Sequence, residues 1–218
     1  LGYIGSHTSV LLLEKGYDLV IVDDLSNSNE KVIENISQIT SKVPVFEKID
    51  LKDKESVSKL FINYDFDGII HFAAHKSVNE SVNYPDKYFK NNVGSLENII
   101  YEIQKLKKPM NFIFSSSCTV YGQADSMPIN EGFELKKAES PYGQSKRKCE
   151  EILENFHKTG HNFKNITLRY FNPIGAHPTS LIGELPIGIP ENLVPYITQT
   201  AVGKRDHLTV FGNDYDTN

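Results

Sequence analysis

The sequence predicts an α/β fold, a doubly wound parallel sheet with helices on both faces. Three observations carry that prediction. Short β-rich apolar runs alternate along the chain with longer amphipathic stretches; the runs show no strict apolar/polar alternation; and the stretches between them have helix length. Strands separated by helices pair in parallel through right-handed crossovers. A strand covered on both faces reads as a continuous apolar run.

Taken in order, residues 4–15 read as a helix stopped by Gly16. DLVIVD at 18–23 reads as a buried strand, 30–39 as a helix and PVFEKID at 44–50 as a strand. A helix over 54–64 and a strand over 68–73 (GIIHFA) follow. The span 85–106 reads as one long helix, and NFIFSS at 111–116 as a strand. Ser140 and Pro141 open a helix to about 157, with Ser as N-cap and Pro in the first turn. NITLRY at 165–170 is the last strand of this series.

After Tyr170 the texture changes. Pro173, Pro178, Pro186, Pro190 and Pro195 punctuate the chain together with Gly175, Gly183 and Gly188, which marks irregular structure. A helix over 192–202 and a strand over 208–211 are expected beyond it. The expected division is a nucleotide-binding unit at 1–171 and the opening of a smaller substrate-covering unit at 172–218.

With 218 residues, 39% of them hydrophobic, the chain can bury one sizeable core and part of a second. A net charge of -5 with scattered basic residues gives no field for nucleic acid or an anionic membrane surface. No apolar run approaches the length of a membrane span, and no signal peptide is visible. The two cysteines, Cys118 and Cys149, lack metal-ligand spacing and read as free thiols of a reducing cytoplasm. No metal site is expected.

Two ends of the chain carry chemistry. Gly2 and Gly5 lie three apart ahead of a helix, as in turns that let a backbone approach a pyrophosphate at a helix N-terminus. Asp23 ends the next strand about 20 residues on, where a carboxylate takes the adenosine ribose hydroxyls. Asp24 follows it and would repel a ribose 2′-phosphate, so NAD is expected over NADP. The strand ahead of this turn is expected before Leu1, and the sequence reads as cut short at both ends.

The second end is Ser117, Tyr142 and Lys146. Tyr142 and Lys146 are four apart on one helix face. Ser117 closes a parallel strand, on the edge where α/β sheets place their ligands. A phenol titrates near 10, so a base for neutral pH needs a downward shift of roughly three units. A Lys146 cation and the positive helix end are expected to supply it.

With these residues in view, SPYGQSK resembles the extended short-chain dehydrogenases, which carry a Tyr-x-x-x-Lys pair and an upstream Ser or Thr on a Rossmann-type doubly wound sheet. GYIGSHT, FIFSSSCTVYG, LRYFNPIGAHP, PENLVPYI and VFGNDY are together similar to the UDP-glucose 4-epimerase family, over essentially the whole chain. That resemblance implies an isomerase with tightly held NAD. It implies Tyr142 as base, Ser117 as its partner at the sugar 4-hydroxyl, and Lys146 on the nicotinamide ribose.

The resemblance further implies cofactor contacts from Gly2, Tyr3, Ile4, Gly5, Asp23, Asn27, Ser28, Asp50, Leu51, Phe72, Ala73, Ala74, Lys76, Asn92, Ser115 and Tyr170. The UDP-sugar would meet Lys76, Ser117, Tyr142, Phe171, Asn172, Asn192, Leu193, Thr209, Val210 and Phe211. A homodimer through 86–106 and 144–157 is implied as well. His75 stands where relatives often differ and reads as a satisfied loop histidine.

Sugar-nucleotide dehydratases share the Tyr–Lys pair but need an Asp–Glu pair where Cys118 and Thr119 stand. An epimerase of UDP-N-acetylglucosamine or UDP-glucuronate is the nearer alternative. Non-enzymatic NAD sensors often lose the Tyr or the Lys; both are kept here. A non-catalytic NAD-binding fragment is the remaining alternative.

Overall fold

The computed structural model describes residues 1–214. Its elements run α1 (Tyr3–Glu14), β1 (Val20–Asp23), α2 (Lys31–Thr40), β2 (Val45–Lys48), α3 (Lys54–Asn63), β3 (Gly68–His71), α4 (Val78–Asn83), α5 (Pro85–Tyr88), α6 (Gly94–Ile103), β4 (Met110–Ser117), α7 (Pro141–Lys158), β5 (Phe163–Tyr170) and α8 (Leu193–Ala201). Every strand pairing is parallel, as the helix-length connections require. The fold is a Rossmann-type doubly wound α/β arrangement.

The strands form two ladders, β1–β2 and β3–β4–β5, with no hydrogen bonding between β1 and β3 among the described residues. The sheet is therefore split at that point. β4 is the spine of the larger ladder and is buried along most of its length. Phe112 and Phe114 on it pack with Leu96, Ile99, Ile103, Leu153, Phe156 and Phe163. A buried side chain of this kind stabilises by about 1.5–3 kcal/mol. A second, smaller core joins α1, β1 and α2 through Val10, Leu13, Ile21 and Ile36.

Local chemistry explains the helix starts. Asp53 accepts from the Glu55 amide at the head of α3, and Ser77 accepts from the Glu80 amide at the head of α4. Ser140 accepts from the Gly143 amide at 3.1 Å, with Pro141 at the first position of α7, as the sequence predicts.

The long helix expected over 85–106 is one path with an interruption. Phe89–Val93 winds as a π-helical turn between α5 and α6. Such turns put an extra residue into a helix and recur at functional sites; here it carries Asn92. The short α4 ahead of it was not expected.

The strand expected over 208–211 does not form. Val210 and Phe211 stand exposed, Phe211 at 98%, with no strand alongside. An extended segment with no ladder partner cannot satisfy its backbone as a strand.

Residues 171–192 are irregular apart from a single bridge between Ala176 and Gly183. They lie across the first unit. Ile182 is buried in the smaller core, Asn35 donates to the Leu181 carbonyl at 2.8 Å, and the Tyr3 hydroxyl donates to the Gly175 carbonyl at 2.8 Å. Residues 215–218 of the expected second unit lie outside the described residues. Among the described residues no helix is long and apolar enough to cross a membrane.

Candidate active site

The carboxyl ends of the parallel strands gather the chemistry along one edge. Ser117 ends β4 and stands opposite Tyr170 at the end of β5; Asp23 ends β1, and the loop at 72–76 leaves β3.

α7 brings Tyr142 and Lys146 to Ser117 because it can approach closely. A Cβ on Gly143 would sit 3.1 Å from the Thr119 carbonyl oxygen and 3.2 Å from the Ala138 Cβ, so glycine lets the helix settle on the turn after β4. That turn, Cys118–Tyr121, is capped by Ser117, whose hydroxyl oxygen accepts from the Thr119 amide and, at 3.0 Å, from the Thr119 hydroxyl. Gly122 ends the turn at φ +63, with a would-be Cβ 2.5 Å from the Lys137 carbonyl oxygen. Only glycine fits there.

Tyr142 is 9% exposed and Lys146 3% exposed. Burial raises the Tyr142 pKa, the Ser117 hydroxyl opposes that rise, and Cys118 adds to it. The net direction is up, which corrects the expectation that Lys146 lowers it. The lysine chain reaches past the phenol to the strand: its ammonium donates to the Ser115 carbonyl at 2.7 Å and lies 5.0 Å from the centre of the Phe114 ring. Burial brings the Lys146 pKa down to about 8, so the ammonium is mostly charged at neutral pH.

The glycine turn has the shape a pyrophosphate requires. Gly2 is the N-cap of α1; no side chain caps that helix and no acidic residue occupies its first turn, so the amides there are open to an anion. Gly5 faces the Phe72 ring, which a Cβ would meet at 3.6 Å. The Asp23 carboxylate accepts from the Leu25 amide at 2.8 Å and the Ser28 hydroxyl at 2.6 Å. Asp23 and Ser28 are thus held together, while Asn27 is exposed. These residues fit NAD: open amides for its phosphates, and a carboxylate at a strand end for its ribose.

Asn92 is a clip. Its amide donates to the His75 carbonyl at 3.0 Å and to the Ser145 hydroxyl at 3.0 Å, and its oxygen accepts from the His75 amide at 2.8 Å. It ties the loop after β3 to α7. The His75 backbone is held by this clip and its ring lies against Tyr88; burial, then Lys87, lowers its pKa. Asn98 does the same for the turn after β2, donating to the Leu51 and Lys52 carbonyls at 2.9 and 3.1 Å. The sequence reading missed Asn98.

Toward the expected substrate side, Lys76 pairs with Glu184 at 3.3 Å, and Asn192 donates to the same carboxylate. Sequence reading missed Glu184, since nothing local marks a contact 108 residues away. Tyr170 and Phe171 line a hollow of about 500 Å³ with Tyr121, Ile129, Asn130 and Arg169, apart from Tyr142. Asn172, Leu193, Thr209, Val210 and Phe211 are exposed.

Cys118 and Cys149 are free thiols, and burial pushes Cys149 up to about 12. Thr119 is bonded to Ser117 and Cys118 is half-buried, so neither offers the carboxylic acid that a dehydratase would need at these places.

A buried Tyr-x-x-x-Lys pair facing a strand-end serine, on this sheet and with this glycine turn, defines the class: a Rossmann-type fold of the short-chain dehydrogenase/reductase kind. Within it the chain belongs to the GDP-mannose 4,6 dehydratase family, whose family model matches residues 1–218. Among curated proteins the chain is 48% identical over 220 residues to the UDP-glucose 4-epimerase uge1 of Schizosaccharomyces pombe, covering 99% of this chain and 61% of that protein. It is 47% identical over 216 residues to the UDP-glucose 4-epimerase of Bacillus subtilis, covering 99% and 63%. It superposes with a TM-score of 0.94 and 41% identity on the Bifidobacterium longum UDP-glucose 4-epimerase solved with NAD+ and UDP, covering 99% and 64%. The chain therefore spans a little over three-fifths of these relatives' length.

Proposed function

We propose that the complete protein carrying these residues is a UDP-glucose 4-epimerase that interconverts UDP-glucose and UDP-galactose with a tightly held NAD. The observation that carries this reading is the burial of Tyr142 against Ser117, and of Lys146 against the Ser115 carbonyl, at the carboxyl edge of the sheet. Likeness to named UDP-glucose 4-epimerases over 99% of the chain supports the choice of sugar.

NAD, when bound, supplies the place where a hydride is held and from which it returns. Burial alone keeps the Tyr142 phenol protonated; the positive charge of a bound nicotinamide would join the Lys146 ammonium in favouring its phenolate. That phenolate takes the proton of the sugar 4-hydroxyl, with the Ser117 hydroxyl bonded to the same oxygen. Lys146 holds its positive charge in a buried pocket next to the developing anion, where a charge acts with little screening. Loss of the proton and a hydride leaves a 4-keto sugar. The sugar then presents its other face, and Tyr142 returns the proton as the hydride comes back to C4.

Gly2, Tyr3, Ile4 and Gly5 would hold the pyrophosphate and Asp23 with Ser28 the adenosine ribose. Asp50, Leu51, Phe72, Ala73, Ala74 and Lys76 would border the cofactor, and Tyr170 would flank its nicotinamide end. Asn172, Asn192 and Thr209 to Phe211 would reach the UDP part once the rest of a second unit surrounds them. The split between β1 and β3 supports a further strand ahead of Leu1, seated between them. A cytoplasmic, galactose-metabolising homodimer completes the reading.

The test uses the protein expressed from its complete reading frame and purified without added cofactor. It is expected to carry NAD and to convert UDP-galactose. Tyr142→Phe is expected to keep the NAD and to lower kcat by about 10³-fold, within the range of a lost general base. A variant with parent-level turnover would remove Tyr142 from the mechanism. Bound NAD with no conversion by the parent would move the substrate to UDP-N-acetylglucosamine or UDP-glucuronate.

A further inference from the structure

One partly buried ion pair lies against the site and takes no part in the reaction as derived. Glu150 is one helical turn beyond Lys146 on α7, so Tyr142, Lys146 and Glu150 form a single stripe facing the sheet. Arg169, from β5, donates to Glu150 through Nε at 3.1 Å and Nη2 at 2.8 Å. The Ser116 hydroxyl of β4 donates to the same carboxylate. The Arg169 guanidinium lies 4.8 Å from the centre of the Tyr121 ring. The carboxylate is 11% exposed and the guanidinium side chain 22%.

Three consecutive residues of β4 therefore meet three successive tiers of α7. Ser115 takes the Lys146 ammonium, Ser116 bonds Glu150, and Ser117 faces Tyr142. A partly buried pair is weak evidence of stabilisation, because the cost of desolvating the charges offsets much of their attraction; fixing a register is the better attested use.

We propose that Glu150 and Arg169 are positioning residues: the pair locks α7 in register on β4 and sets a fixed negative charge one turn from Lys146. This rests on the epimerase reading. The groups facing Lys146 are the neutral His71 from β3, the Ser115 carbonyl and Phe114 ring from β4, and Cys149 and Glu150 from its own helix. Burial drives the Lys146 pKa down, and Cys149 and Glu150 oppose that fall. Removing the Glu150 charge makes Lys146 lose its proton at lower pH. Removing the Arg169 charge leaves the carboxylate unopposed and does the reverse.

The test compares pH profiles of UDP-galactose conversion for the protein from its complete reading frame and three variants, each checked for bound NAD and Tm. Glu150→Gln is expected to lower kcat about tenfold and move the falling alkaline limb down by roughly half a unit or more. Arg169→Gln is expected to lower kcat while moving that limb up. Arg169→Lys keeps the charge but loses the two-pronged geometry. It is expected to lower kcat several-fold, with KM and the limb in place.

Limbs that stay put, or that move the same way in both charge-removing variants, would overturn the proposal, since a loss of packing alone has no sign. If Glu150→Gln does not fold, Arg169→Lys decides it, and parent-level kcat there overturns it. A parent with bound NAD and no conversion of any UDP-sugar brings down the epimerase reading and this proposal with it.

Discussion

At the residue scale, the two buried cations-in-waiting behave in opposite ways. Lys146 keeps its charge near neutrality, whereas burial drives the His71 pKa down to about 3, with the Lys146 charge adding to the fall. His71 is stacked on Phe114 with ring centres 6.1 Å apart, and its Nε2 has no partner among the described residues. An unfolded histidine binds a proton near 6.5 and the folded one does not. His71 therefore contributes stability that is present above pH 6.5 and is lost as pH falls toward 3. Replacing it with Phe is expected to flatten the fall of Tm with acid, so the gap between variant and parent moves in the variant's favour from pH 7 to pH 5. A gap that stays constant would show that His71 does not titrate on unfolding.

The candidate trio of Ser117, Tyr142 and Lys146 was legible from spacing because four residues along a helix and one strand end suffice to place it. The direction of the Tyr142 shift was not. Spacing says that Lys146 shares a face with Tyr142; it does not say that the ammonium finds a carbonyl on β4 before it settles beside the phenol. Glu150 could have been found as the next member of the same stripe, and Arg169 only through β5 lying beside β4.

At the scale of elements, helix starts were read well because their caps are local. Ser140, Pro141 and the first turn of α7 follow from adjacent residues. The π-helical turn at Phe89–Val93 was not legible, since it depends on Asn92 tying His75 to Ser145 across the fold. The absent strand at 208–211 shows the converse: an apolar run is a strand only when another strand receives it.

The turn joining β4 to the 130s loop is the element most sensitive to one atom. Gly122→Ala would place a Cβ on the Lys137 carbonyl and hold alanine at positive φ. The expected cost is about 2–3 kcal/mol, read as a lower midpoint in denaturant, with turnover falling as Ser117 shifts. An unchanged midpoint would mean the turn adapts.

At the scale of the whole molecule, the doubly wound class was legible from the rhythm of the chain, and family membership from its motifs. How 171–192 lies was not. The segment is stitched to α1 and α2 through Ile182, Leu181 and Gly175. Such contacts join residues 146 and 172 positions apart, beyond any periodicity argument. They place irregular chain over the glycine turn.

The central claim is that one buried tyrosine and a resident cofactor invert a single sugar carbon by removing and returning the same hydride. The measurement that tests it most directly is conversion of UDP-galactose carrying deuterium at C4, in ordinary water, by the protein from its complete reading frame. The account predicts UDP-glucose that keeps the deuterium at C4. Product that has exchanged its label with water, or no product at all from protein that holds NAD, would contradict it.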